Sequence, residues 1–224
     1  MVDFKDIIEC DLVKRVMEVA AVGNHSLLLF GPHDYGKTLC LQAMAGLTDV
    51  DNVGPVQDMT AAKQRALRNR LDRHERTIVA EIVPCPCGNY CNAHAVCRCS
   101  AVAIQRYRAK LMDTVRSFDA VVGIRRPMPE AMARVRWDTE DTETVKARVM
   151  AAKGIPTPSG LSLDASDIVS MAVRQAGMTP KQVVIAKAIG ESVARLDGKA
   201  TVEVFHMSEA IQYVLGFNNI WGSL

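Results

Sequence analysis

The sequence predicts an α/β fold, a parallel sheet organised around a phosphate-binding loop and followed by a small helical domain. Three observations carry that prediction. A short apolar run at residues 26–30 leads directly into Gly31-Pro-His-Asp-Tyr-Gly36-Lys37-Thr38 and then into a helix-compatible stretch. Two further apolar runs, TIVAEIV at 77–83 and FDAVVGI at 118–124, read as buried strands. Beyond these the remaining pattern is helical, which divides the chain into 1–130, including a cysteine-rich loop at 85–99, and a helical domain at 131–224.

In chain order, residues 10–22 read as a helix with Leu12, Val13, Val16, Ala20 and Ala21 near one face, ended by Gly23 and Asn24. The first strand and its glycine-bounded loop follow, then a helix over 39–47. Residues 48–58 read as a loop, and 59–75 as a strongly basic helix. After the second strand and the cysteines, residues 101–115 are helical and 118–124 form the third strand. Two prolines in 125–130 break regular structure. A helix is expected over about 138–152, then a loop at 154–160. Asp164 is read as the cap of a helix to about Ala176, with Asp167 in its first turn. Thr179-Pro180-Lys181-Gln182 is a helix start, with threonine as cap, proline in the first turn and Gln182 reaching back. That helix ends near Gly198, and a short last helix spans His206 to Tyr213.

Composition excludes several classes. Of 224 residues, 49% are hydrophobic and 23% charged, too apolar for a wholly disordered chain. Aromatics at 5% argue against a stacking platform for single-stranded nucleic acid. No long apolar run suggests a membrane span or a secretory leader, so no membrane partner and a cytoplasmic location are expected. The net charge of +2 conceals an asymmetry: residues 1–60 sum to −5, residues 61–116 to +7, and 117–224 balance.

Gly31 to Thr38 fits GxxxxGK[ST], with a strand before it and a helix after it. In that context backbone N–H groups cradle phosphates, Lys37 reaches the outer phosphates of ATP, and the Thr38 hydroxyl ligates Mg2+. Asp34 within the loop opposes phosphate unless it turns outward, and Tyr35 adds bulk beside Gly36. Hydrolysis also needs an acid that organises magnesium and water. No apolar run ends in one, since Glu81 lies inside its run and Asp119 begins its own.

Five of the seven cysteines fall between Cys85 and Cys99. Cys85, Cys87, Cys97 and Cys99 form two CxC pairs that can converge on structural Zn2+, while Cys91 and His94 between them leave the ligand set open. Reduced thiols without metal are the alternative. The basic stretch holds Lys63, Arg65, Arg68, Arg70, Arg73 and Arg76, followed by Arg98, Arg106, Arg108, Lys110 and Arg116. It reads either as a phosphate-contacting surface for DNA or as an interface matched to the acidic first 60 residues.

Four segments in order carry a resemblance: residues 3–38 through GPHDYGKT; PCPCG with CRCS and IQRYRAKL; RSFDAVVGI; and TPKQVVIAKAIGESVARLDG with HMSEAIQY. Together they resemble the magnesium-chelatase-like AAA+ ATPases, closest to the competence-related branch. The resemblance implies a shortened P-loop AAA+ core with a helical lid. It further implies ATP or ADP as ligand, self-association or a AAA+ partner subunit, and DNA as a client. Gly31, Gly36, Lys37 and Thr38 would hold the nucleotide, and Lys181 stands where the lid of such proteins carries an arginine. His206 and Glu209 match the closing helix in a structural role. The chain departs from the pattern in three ways. Only 46 residues separate Thr38 from Cys85, so the acidic strand expected there is missing. Val83 replaces an asparagine, and Ser117 replaces an arginine. The departures imply an ATP-binding relative without the full hydrolytic set. The alternative is a non-enzymatic, zinc-stabilised interaction module or a basic nucleic-acid-binding protein.

Overall fold

A central parallel strand must be apolar on both faces, and β1 (Leu27–Phe30) meets that demand, with Leu27, Leu28 and Leu29 fully buried. The computed structural model describes residues 2–128, 130–131 and 139–221, the last three through their backbone alone. Among these, β1 pairs in parallel with β3 (Thr77–Ile82) on one side and β4 (Ala120–Gly123) on the other. Leu29 stands opposite Glu81 in one ladder and Val122 in the other. A further strand, β2 (Val50–Pro55), pairs in parallel with β3, giving the order β2-β3-β1-β4.

The strand β2 corrects the loop expected at 48–58, whose last residues, Val56–Asp58, form a single 3-10 turn. Its sequence, VDNVGP, has neither an apolar run nor high strand propensity. The strand exists because β3 offers it an open edge. Pairing tolerates Gly54 (φ 73) and Pro55 through a register shift between Asn52 and Pro55.

Eight helices among the described residues complete the fold: α1 Asp11–Gly23, α2 Lys37–Met44, α3 Ala61–Leu71, α4 Ala101–Val115, α5 Thr142–Gly154, α6 Leu163–Ala176, α7 Pro180–Leu196 and α8 Val204–Trp221. Strand alternation sorts them into layers. Leu27, Leu29, Val79, Ala120 and Val122 face a large core with α1, α2, α5, α6, α7 and α8. Leu28, Ile78, Ala80 and Val121 face a smaller one with Leu67 and Leu71 of α3, Leu111 and Val115 of α4, and Phe217 of α8. The protein is therefore an α/β fold with a parallel four-stranded sheet packed between helices. Among the described residues no helix is long and apolar enough to cross a membrane.

Most helix starts follow from local chemistry. Thr60, Ser100 and Asp141 each accept a backbone N–H from the third residue on. Thr179 and Gln182 form the expected reciprocal box, Gln182 N donating to Thr179 Oγ1 at 3.3 Å and Thr179 N to Gln182 Oε1 at 2.9 Å. At α6 the cap is Ser162, which accepts from Ala165 N, and Asp164 lies in the first turn instead. Helix α5 starts at Thr142, and residue 138 of the expected span lies outside the described residues. Helix α8 outruns the expected His206–Tyr213 because Gly216 does not break it. A Cβ there would sit 1.9 Å from the Val121 carbonyl oxygen, so the glycine lets the helix backbone lie against β4.

Two buried histidines brace the frame. His206 accepts from Glu203 N at Nδ1 (2.9 Å), and Glu209 takes both Arg15 (3.0 Å) and the Tyr213 hydroxyl (2.8 Å), so both residues are structural as expected. His25 Nε2 lies 2.8 Å from Ser192 Oγ, tying the start of β1 to α7. Burial pushes the His25 pKa down to about 4, with Asp119 opposing and His74 reinforcing the shift.

Gly216→Ala is expected to destabilise by more than about 2 kcal/mol by overpacking, although alanine alone favours a helix. Gly154→Ala, where nothing lies within 4 Å of the added methyl, is expected to be neutral or stabilising. Urea denaturation of both variants checks the contrast. A second expectation follows from His25. Its folded pKa lies below the ordinary 6.5, so its stabilising contribution is complete above that pH and is lost as pH falls toward 4. Between pH 7 and pH 5 the loss is about 2 kcal/mol. His25→Gln should flatten that slope in denaturation curves, and an unchanged slope would contradict the assignment.

Candidate functional site

Strand β1 ends at Phe30, and Gly31 N donates to Ile82 O at 3.2 Å, so the loop leaves the sheet between β1 and β3. Asp34 (φ 63) and Gly36 (φ 87) take left-handed conformations that turn the chain into α2 at Lys37. This is the strand–loop–helix context expected of Gly31 to Thr38. Lys37 is buried, and its ammonium donates to Gly31 O (2.8 Å) and Pro32 O (2.6 Å), closing the loop on itself. Burial lowers its pKa, and the charges of Glu81 and Asp34 oppose that effect.

The Thr38 hydroxyl donates to the Glu81 carboxylate, 3.0 Å from Oε2 and 3.2 Å from Oε1. The sequence offers no apolar run that ends in an acid, yet Glu81 from within its run meets the loop. Glu81 is within its strand, but the β1–β3 register sets it one position from the end of the paired segment. Its side chain thereby reaches the first turn of α2. The signal in the sequence was a lone carboxylate in an otherwise apolar buried strand.

Two cavities flank the loop. One of 560 Å³ is lined by Asp34, Lys37, Thr38, Gln57, Asp58 and Glu81, among others. The other, of 620 Å³, is lined on its polar side by Tyr35, Cys91, His94, Arg125 and Arg126. Tyr35 is buried toward this second space, so its bulk turns away from Lys37 and Thr38. Asp34 does not turn away, since it is exposed on the wall of the first cavity.

The cysteines converge. The sulfurs of Cys85, Cys87, Cys97 and Cys99 all lie within 4.8 Å of one another. Cys85 is 3.5 Å from Cys87 and 3.7 Å from Cys97, and Cys87 is 3.7 Å from Cys97. Backbone N–H groups of Asn89 and Arg98 lower the Cys87 pKa to about 6, and Tyr90 N donates to Cys85 Sγ at 3.3 Å. At Cys87 these donors favour thiolate, the form that binds metal, whereas Cys97 and Cys99, despite their own backbone N–H donors, are pushed up by burial and by the neighbouring thiols. Cys91 and His94 stand apart from the four and line the 620 Å³ cavity.

The cysteine loop is bonded to the phosphate loop. His33 N donates to Gly88 O at 3.4 Å. Gly88 takes a φ of 75 that favours glycine, and the exposed His33 ring lies over it, 2.0 Å from where a Cβ would stand. The Tyr35 hydroxyl accepts from Ala93 N at 3.1 Å and donates to Asn92 Oδ1 at 3.4 Å.

Lys181 is not brought to this site. Its ammonium pairs with Asp72 at 2.7 Å, and it lines a separate cavity of 270 Å³ with Arg116 and Thr179. The basic stretch is partly neutralised within the chain: Arg70 pairs with Asp51 and Arg76 with Asp49, joining it to the acidic first 60 residues. Arg68 donates to Thr114 Oγ1 at 3.2 Å, and buried Arg108 lies 5.2 Å from the Tyr90 ring centre. Lys63, Arg65, Arg73, Arg106 and Lys110 are exposed.

No curated protein matches the chain. The family described as magnesium chelatase, subunit ChlI, matches it in two overlapping stretches, residues 3–75 and 53–132, which together span the sheet, the phosphate loop and the cysteine cluster. With more than half of its length matched, the chain belongs to the magnesium chelatase subunit ChlI family.

Proposed function

We propose that this protein is an interaction module of its family, stabilised by structural zinc. The observation that carries the reading is the convergence of four cysteine sulfurs within 4.8 Å. Four thiolates fit zinc in closed tetrahedral coordination, which leaves no position for substrate. Between β3 and α4 the chain runs from 83 to 100 with no helix or strand, held by a few hydrogen bonds, so a cross-link between its two ends would stabilise it. Zinc on Cys85, Cys87, Cys97 and Cys99 supplies it. Val83 lies on the wall of the 560 Å³ cavity, at the position where the family resemblance implies an asparagine. Suitable partners are a second copy of this chain or another subunit of the family.

A second reading is favoured by the Thr38–Glu81 contact: ATP or ADP binds at Gly31, Gly36, Lys37 and Thr38 with Mg2+. The buried lysine and the cavity beside it match a phosphate site in chemistry. In this reading the nucleotide would order the module and tune its association. Lys181 would have to leave Asp72 to take part. DNA binding is less well supported, because Arg70 and Arg76 are engaged by acids of the same chain.

Purified protein is expected to carry about one zinc per chain by elemental analysis. Cys85→Ser and Cys97→Ser should lose it, and Cys91→Ser should retain it. Chelation should lower Tm, since binding energy at such sites is folding energy. A metal-free protein with unchanged Tm would overturn the structural role. In the nucleotide reading, calorimetry should show ATP affinity falling on zinc removal, because Gly88, Asn92 and Ala93 hold His33 and Tyr35. Equal affinity with and without zinc would show that the two loops act independently.

A further inference from the structure

We infer that Cys10 and Cys40 form a redox-modifiable dithiol, which a hydroperoxide converts to a disulfide joining α1 to α2. Both residues lie outside the four-sulfur cluster and belong to the large core. Cys10 is the N-cap residue of α1. Cys40 is one turn into α2, where its N–H donates to Gly36 O at 3.0 Å. The two thiols are hydrogen-bonded to each other, side chain to side chain. Cys10 Sγ also lies 4.0 Å from Arg125 O, just beyond β4.

Three features separate this pair from cysteines that only fill a core. The first is the position of Cys10. Helices α3 to α7 each start on a hydroxyl or carboxylate that accepts a backbone N–H. Cys10 takes that position on α1 without making the cap bond, and its sulfur turns to Cys40 instead. A helix N-terminus favours thiolate over thiol. The second is inequality. The hydrogen bond from Cys40 holds the Cys10 pKa below that of an ordinary thiol, against burial; Lys14 adds to the lowering, and Asp11 and Glu9 oppose it. The same bond pushes the Cys40 pKa up, and burial adds to that. One sulfur is thereby suited to attack and the other to resolve. The third is graded access, since Cys10 is 7% exposed and Cys40 1%. A small oxidant meets Cys10 first.

The Cys10 thiolate, its proton released to water, attacks the O–O bond of the hydroperoxide. Sulfur becomes sulfenic acid, and the peroxide leaves as hydroxide or alkoxide, which takes up a proton. The Cys40 sulfur then attacks the Cys10 sulfur. The S–S bond forms, the S–O bond breaks, and the hydroxyl leaves with the Cys40 proton as water. Two thiols give up two electrons in all, and the peroxide takes them. The product ties the start of α1 to the helix that follows the phosphate loop.

The test treats the full-length protein as purified with hydrogen peroxide, then catalase. The protein is next unfolded in an alkylating agent and digested with trypsin without reduction. Cleavage after Lys5, Lys14, Lys37 and Lys63 places Cys10 and Cys40 on separate peptides, apart from the cysteines at 85–99. Mass spectrometry is expected to show peptides 6–14 and 38–63 joined, lighter by two hydrogens than their sum and released by dithiothreitol. Cys40→Ala should stop at a Cys10 sulfenic acid that dimedone traps, and Cys10→Ala should leave Cys40 as a thiol that alkylates in full. The inference is overturned if both cysteines of wild type are recovered alkylated once the cluster cysteines have been oxidised. Cys10 joined to a cluster cysteine, or carried to sulfinic acid beside an alkylated Cys40, would equally overturn it.

Discussion

The structure depends on β1 being paired on both sides. Four residues form the strand, three of them fully buried leucines, and every backbone polar group on it must be satisfied by β3 and β4. The partners come from far along the chain, at residues 77–82 and 120–123. Their meeting brings the phosphate loop, the cysteine loop and residues 124–128 to one end of the sheet. The helical C-terminal part then covers one face, and α8 reaches both cores.

The sequence was most informative where one segment decides its own structure. The run at 26–30, the glycines at 31 and 36 and the capping box at Thr179 each act within a few residues, and the structure has them as read. The cysteine set was also legible, because paired CxC spacing limits how four sulfurs can meet. What could not be read depends on alignment between distant strands. The string VDNVGP becomes a strand only because β3 has a free edge. Glu81 looked misplaced in its run because the register that carries it to Thr38 is a property of the pair. Lys181 likewise takes a partner that its own segment does not announce, pairing with Asp72 across the fold.

The two loops at the end of the sheet form one object. His33 and Tyr35, which look foreign in a phosphate loop, are the residues that contact Gly88, Asn92 and Ala93. Tyr35 is accommodated on the cysteine-loop side, whereas His33 also borders the cavity beside Lys37 and Thr38. Gly88, set between the cysteines and His33, joins the two loops through its carbonyl, which accepts from His33 N.

The charge distribution has a consequence of its own. Residues 61–116 sum to +7, yet Arg70 and Arg76 lie against Asp51 and Asp49 of the acidic segment. Charges matched at contact distance contribute little beyond a Debye length of about 8 Å at physiological salt. Folding thus neutralises the basic segment locally at Arg70 and Arg76, while Lys63, Arg65, Arg73, Arg106 and Lys110 remain exposed. The positive field that survives draws on those five side chains, and it is the part that salt screens.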